Sequence, residues 1–104
     1  MIRHAFIMKL KPGNEAEYKR RHDAIWPELV EALRAAGISD YSIFLDEDSG
    51  TLFAFQRRTG DNSAKLLPQQ DVMQRWWLAM QDLMETNPDN SPVESSLLEV
   101  FHMD

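Results

Sequence analysis

His22 stands between two aromatic residues at helical spacing, Tyr18 four positions before it and Trp26 four positions after it. Steps of four put side chains on one helix face, so the three share a surface. Histidine is the side chain whose ordinary pKa lets it give and take a proton near neutral pH. Asp23 and Arg21 flank it in sequence but project from other sides of a helix. The same spacing also suits a half-buried histidine with an ordinary hydrogen bond, because catalysis needs a pocket as well as a position.

Trp76 and Trp77 form the second distinctive feature. Neighbouring residues on a helix point about 100° apart, so the two rings cannot fill one part of a core. Each offers a broad apolar face and one N–H donor, which suits a sugar: its C–H faces stack on rings while its hydroxyls seek partners. Both could equally be core or interface residues of a Met-rich helix. Tyr18 and Tyr41 each add an apolar ring and a hydroxyl, and plain packing accounts for them as well. His4 and His102 alternate with apolar neighbours on strands and read as structural or interface histidines. Three histidines without HxxxH spacing or an adjoining carboxylate cluster make a poor metal site. No GxGxxG, GxxxxGK[ST] or GxSxG motif occurs, so nothing points to a nucleotide, a phosphate or an acyl-enzyme. Cofactor-free proton chemistry on a small neutral ligand is compatible with this set.

The elements that must position these groups follow from composition and periodicity. The sequence has 104 residues, 43% hydrophobic and 27% charged, which is the make-up of one globular domain. It contains no cysteine, which excludes disulfides, thiolate nucleophiles and cysteine metal sites. Eleven basic against seventeen acidic residues leave a net charge of −6, a field that repels nucleic acid. No apolar run approaches the roughly 20 residues of a membrane span, and none has the form of a signal peptide. A cytosolic protein is expected.

Alternation predicts strands over residues 1–10, 38–46, 51–58 and 96–103. Steps of three and four predict helical regions over 14–36 and 71–85, with a short helical piece over 63–67 set apart by Pro68. Pro27 must interrupt the first region near 23–26, and Gly37 suits its end. The order β-α-β-β-α-β predicts a single α+β ferredoxin-like domain over 1–104. Its four-stranded antiparallel sheet would carry both helices on one face. Phe44, Phe55, Leu97 and Phe101 then fall on the other face, which should be polar if it met water. A second subunit, sheet against sheet, is expected to cover it.

Three blocks carry a family resemblance: Tyr18-Lys19-Arg20-Arg21-His22-Asp23-Ala24-Ile25-Trp26-Pro27-Glu28-Leu29, Asp71-Val72-Met73-Gln74-Arg75-Trp76-Trp77 and Asn87-Pro88-Asp89-Asn90-Ser91-Pro92-Val93. With the opening Met1-Ile2-Arg3-His4-Ala5-Phe6, they span nearly the whole chain, and in this order the sequence resembles the L-rhamnose mutarotases. The resemblance implies a dimeric α/β barrel, a homodimer of ferredoxin-like domains. It also implies interconversion of the α and β anomers of L-rhamnopyranose without metal or cofactor. By position, His22 matches the family's proton donor, and Tyr18, Tyr41, Trp76 and Trp77 match its sugar-binding residues. A non-catalytic small-ligand binding module and a cofactor-independent monooxygenase are the alternatives the same fold would host.

Overall fold

A computed structural model of the chain describes residues 1–61 and 63–104. The elements run β1 (Ile2–Lys9), α1 (Glu15–Asp23), α2 (Pro27–Ala35), β2 (Ile38–Asp46), β3 (Thr51–Arg58), a 3-10 helix (Ser63–Gln69), α3 (Asp71–Met80) and β4 (Glu94–Ser96). The sheet is antiparallel in the order β2-β3-β1-β4. This is the α+β arrangement the sequence predicts, with β2 and β3 at the expected bounds.

Pro27 divides the first helical region as its chemistry requires. Trp26 is extended, with ψ at 129°, and Pro27 opens α2, where a missing N–H costs nothing. Gly37 closes α2 at φ +81°, and its N–H returns to the Arg34 carbonyl. In β2, one extra residue lies between the pairs Ser39–Arg57 and Ser42–Phe55. This bulge, with Asp40 at φ +49°, puts Ile38 on the same face as Tyr41 and Ile43.

That face carries the helices. Phe6 and Met8 of β1 and Leu52 and Ala54 of β3 pack with Tyr18, Met80, Leu83 and Met84 in one apolar cluster. A second cluster joins Leu29, Ala36 and Ile38 to Leu67, Val72 and Met73. Trp76 packs against both. The opposite face is bare: Phe44 pairs with Phe53 and Phe53 with Ile7, making an apolar row across three strands, with Phe44 69% exposed.

Three expectations change. The strand expected over 96–103 is only Glu94–Ser96, paired with Phe6–Met8. After the Leu97 N–H reaches the Ala5 carbonyl, the chain leaves the sheet, and Leu98, Val100, Phe101 and Met103 stand more than three-quarters exposed. Alternation marked these residues as strand-like, but among the described residues no surface covers them. The helix expected over 71–85 stops at Met80. The backbone beyond it turns to bond the end of β1, Lys11 N–H to the Leu83 carbonyl and Glu85 N–H to the Lys9 carbonyl. Pro68 lies inside the 3-10 helix instead of ending it. None of the helices among the described residues is long and apolar enough to cross a membrane.

Candidate active site

The geometry of the site begins on α1. Its acidic residues Glu15 and Glu17 lie in the first turn and its basic residues Arg20, Arg21 and His22 in the last, the order the helix dipole favours. Glu17 accepts from Arg20 and Arg21, which hold its carboxyl down to about 2. Arg21 also donates to the Ala79 carbonyl at 2.7 Å and to Asp82 at 2.8 Å. This bond set fixes the last turn of α1 against the end of α3, and so fixes His22 against Trp76. Asp23 turns away and pairs with Lys19.

His22 is held on three sides. Its Nδ1–H donates to the Tyr18 carbonyl at 3.0 Å; the carbonyl can only accept, so in the neutral ring the lone pair is on Nε2. The Tyr18 ring lies beside it, centroids 4.2 Å apart and planes at 31°. The Trp76 ring meets it edge to face at 5.4 Å and 87°. Burial lowers the His22 pKa below the ordinary histidine value, against the backbone bond and the Asp23 charge, which work the other way. The imidazole therefore rests neutral, poised to accept.

These rings wall a cavity of about 1270 Å³ between the sheet and the helices, larger than the roughly 300–1,000 Å³ usual for a small-molecule site. All five sequence-predicted side chains line it. Tyr18, His22 and Trp76 touch one another. Tyr41 stands apart from them on β2, its ring edge-on to Phe6 at 6.5 Å. Tyr41 exposes 38% of its surface, yet burial pushes its hydroxyl up to about 12. Tyr18 is buried, and desolvation raises its hydroxyl further. Both phenols keep their protons at neutral pH. Trp77 reaches the cavity from the second cluster, packed on the α2 side, and does not stack on His22.

Neither of the other histidines joins this group. His4 packs on Phe6 with centroids 5.2 Å apart, and His102 pairs with Asp104 in the exposed C-terminal segment. Sequence reasoning put Trp26 on the His22 face without a site role, and it missed three cavity residues, Gln56, Arg58 and Glu94. Trp26 crosses Trp76 at 5.2 Å and 84°, beneath the Arg75 guanidinium. Gln56, Arg58 and Glu94 line the sheet side. Their signal was available: Gln56 and Arg58 continue the alternation of Leu52 and Ala54, which puts polar groups on an otherwise apolar face.

The arrangement offers a proton acceptor, two protonated phenols and aromatic walls, a set fit for acid–base chemistry on a small polyol. Comparisons with known proteins point the same way. Residues 3–103 match the family model described as L-rhamnose mutarotase. A protein from Acidiphilium cryptum named L-rhamnose mutarotase is 61% identical over 99 residues, covering 95% of each chain. The crystal structure of an L-rhamnose mutarotase from Formosa agariphila superposes with a TM-score of 0.93 at 49% identity, covering all of both chains. A Mycobacterium tuberculosis protein, Rv0793, shares the fold alone, with a TM-score of 0.60 at 15% identity over 99% of this chain and all of its own.

Proposed function

The chain belongs to the L-rhamnose mutarotase family and is an isomerase, and from that premise we propose that His22 is its proton-transfer residue and that Tyr18, Tyr41, Trp76 and Trp77 hold L-rhamnose around it. The observation that carries this reading is the fixed tautomer of His22, with Nε2 free to accept in a cavity walled by Tyr18 and Trp76.

An anomer inverts by opening its ring. Nε2 of His22 takes the proton of the anomeric hydroxyl and C1=O forms. The C1–O5 bond breaks with its electron pair going to O5, which takes a proton from a tyrosine hydroxyl. The aldehyde turns about C1–C2, and O5 attacks its other face. Closure reverses both transfers: the tyrosine recovers its proton and His22 protonates the new anomeric oxygen. Each turnover returns every group to its starting state. Such acid–base assistance is typically worth roughly 10²–10⁴-fold. Trp76 and Trp77 supply apolar surface for the ring's C–H face and the C6 methyl of a 6-deoxy sugar, while the phenols bond its hydroxyls. The width of the cavity leaves the open chain room to turn.

The working unit is a homodimer in the cytosol, paired through the bare sheet face. The row Phe44–Phe53–Ile7 and the apolar side chains of residues 97–103 support this, since monomers rarely leave so continuous an apolar surface in water. The test of the activity is exchange between the α and β anomers of L-rhamnose, followed by saturation-transfer NMR. Acceleration by the wild type is expected, and rhamnose binding without acceleration would leave a binding module.

A further inference from the structure

The sheet side of the cavity holds a polar group that the reaction just described does not use. Gln56 on β3 is 2% exposed, the one polar side chain buried to this degree among the described residues. Its Oε1 accepts from Arg58 Nε. That bond turns the guanidinium along the face shared with Ala54 and Tyr41, the face the cavity opens onto. Among the described residues, Arg58 has no carboxylate within ion-pair distance and its Nη groups make no hydrogen bond, whereas its neighbour Arg57 pairs with Asp40. Glu94 is directly opposite Met8 in the β1–β4 register, and paired residues project to the same side, so its carboxylate also meets the cavity. Arg58 is close enough for its charge to act on Glu94, Tyr41 and His4. A forked donor and a carboxylate acceptor thus share the wall opposite His22 and Trp76.

A buried glutamine spent on aiming a cation, with both of the cation's outer nitrogens left open, is the construction of a binding site. Coverage by an anion would be the ordinary outcome, but the overall charge of −6 works against capturing one. A neutral polyol satisfies the groups without that cost: two adjacent hydroxyl oxygens match the guanidinium fork, and a hydroxyl hydrogen matches the carboxylate.

We propose that Arg58, aimed by Gln56 and faced by Glu94, reads a vicinal pair of hydroxyls on the edge of the sugar away from C1 and so sets which aldose this enzyme accepts. Arg58 and Glu94 are specificity-determining residues, and the assignment rests on the mutarotase reading of the same cavity. The sugar lies with C1 toward His22 and its hydroxyl edge toward the sheet.

The test is anomer exchange of L-rhamnose and of its 2-, 3- and 4-deoxy analogues, measured with wild type, Arg58→Leu, Arg58→Lys and Glu94→Gln. For the wild type, at least one deoxy analogue is expected to lose roughly tenfold to a hundredfold in kcat/KM, the size of a charge-assisted hydrogen bond. Arg58→Leu should raise KM for L-rhamnose by a similar factor with kcat nearly unchanged, and should treat that analogue and L-rhamnose alike. Arg58→Lys keeps the charge but loses the fork and should fall between. Glu94 lies on an exposed edge strand, so Glu94→Gln carries the test should Arg58→Leu not fold; it too should raise KM and narrow the discrimination. An unchanged KM in the folded variants, or a discrimination that survives them, overturns the proposal. If the wild type fails to accelerate L-rhamnose exchange, the mutarotase reading itself falls, which is a different result.

Discussion

The Nδ1–H of His22 donates to the backbone carbonyl of Tyr18, one helical turn earlier, at 3.0 Å. One bond therefore sets both the tautomer and the orientation of the ring, and the residue that supplies the carbonyl also supplies the aromatic face beside it. In the proposed reaction His22 therefore acts first as a base at Nε2 and returns the proton as the donor when the ring closes.

Replacing that base should abolish most of the acceleration. His22→Ala is expected to slow anomer exchange by roughly 10²–10⁴-fold while leaving a measurable affinity for L-rhamnose, since the phenols and indoles remain. Saturation-transfer NMR gives the rate and calorimetry the binding. Full exchange activity in this variant would remove His22 from the mechanism.

The pH profile follows from the direction of the His22 shift. Burial lowers its pKa, so the neutral, accepting form persists below the ordinary value of 6.5. kcat/KM should therefore rise with pH through a point under 6.5 and be flat across neutrality. The linked stability has the same sign: the unfolded chain binds this proton at a higher pH than the folded one, so stability is lost as pH falls below about 6.5. A limb lying above 6.5 would contradict the burial argument.

Trp76 is expected to act on binding more than on chemistry. It meets His22 edge to face and joins both apolar clusters, so Trp76→Ala should raise KM about tenfold and lower the melting temperature together. Trp76→Phe keeps a ring and should recover much of both. Equal losses in the two variants would show that the indole N–H, not the ring face, carries the effect.

The bare sheet face gives a prediction about assembly. Light scattering at micromolar concentration should return the mass of two chains. Phe44→Asp introduces a charge into the apolar row and should weaken association by more than about tenfold, because an unpaired carboxylate would be buried. A monomeric wild type at that concentration would refute the dimer.

Gly37 offers a stability test away from the site. At φ +81° a side chain is strained, and a Cβ there would collide with the Thr59 side chain. Gly37→Ala should cost about 1–3 kcal/mol or more, read as a lowered midpoint in urea. No change in midpoint would mean that the turn after α2 relaxes freely.

Local chemistry explains why so much was readable from sequence. Pro27 cannot donate to the residue four before it, so the split between α1 and α2 is legible in the sequence. Alternation put Phe44 opposite Tyr41 and Ile43, and the sheet has that division. The five candidate side chains line one cavity because helix and strand periodicity fixed their faces. By contrast, the same alternation misled at residues 97–103, because a strand exists only where a partner strand accepts its bonds, and β1 offers just Phe6–Met8 and one further carbonyl.

Sequence alone thus determined the element types, the break at Pro27, the apolar character of both sheet faces and the presence of an imidazole beside aromatic rings. Tertiary structure alone decided that His22 rests neutral with Nε2 open, that α3 ends at Met80, and that Gln56 aims Arg58 toward a cavity shared with Glu94. The division has one cause. Helix and strand faces depend on neighbours a few residues away, whereas desolvation, tautomer and convergence depend on groups brought together from distant parts of the chain.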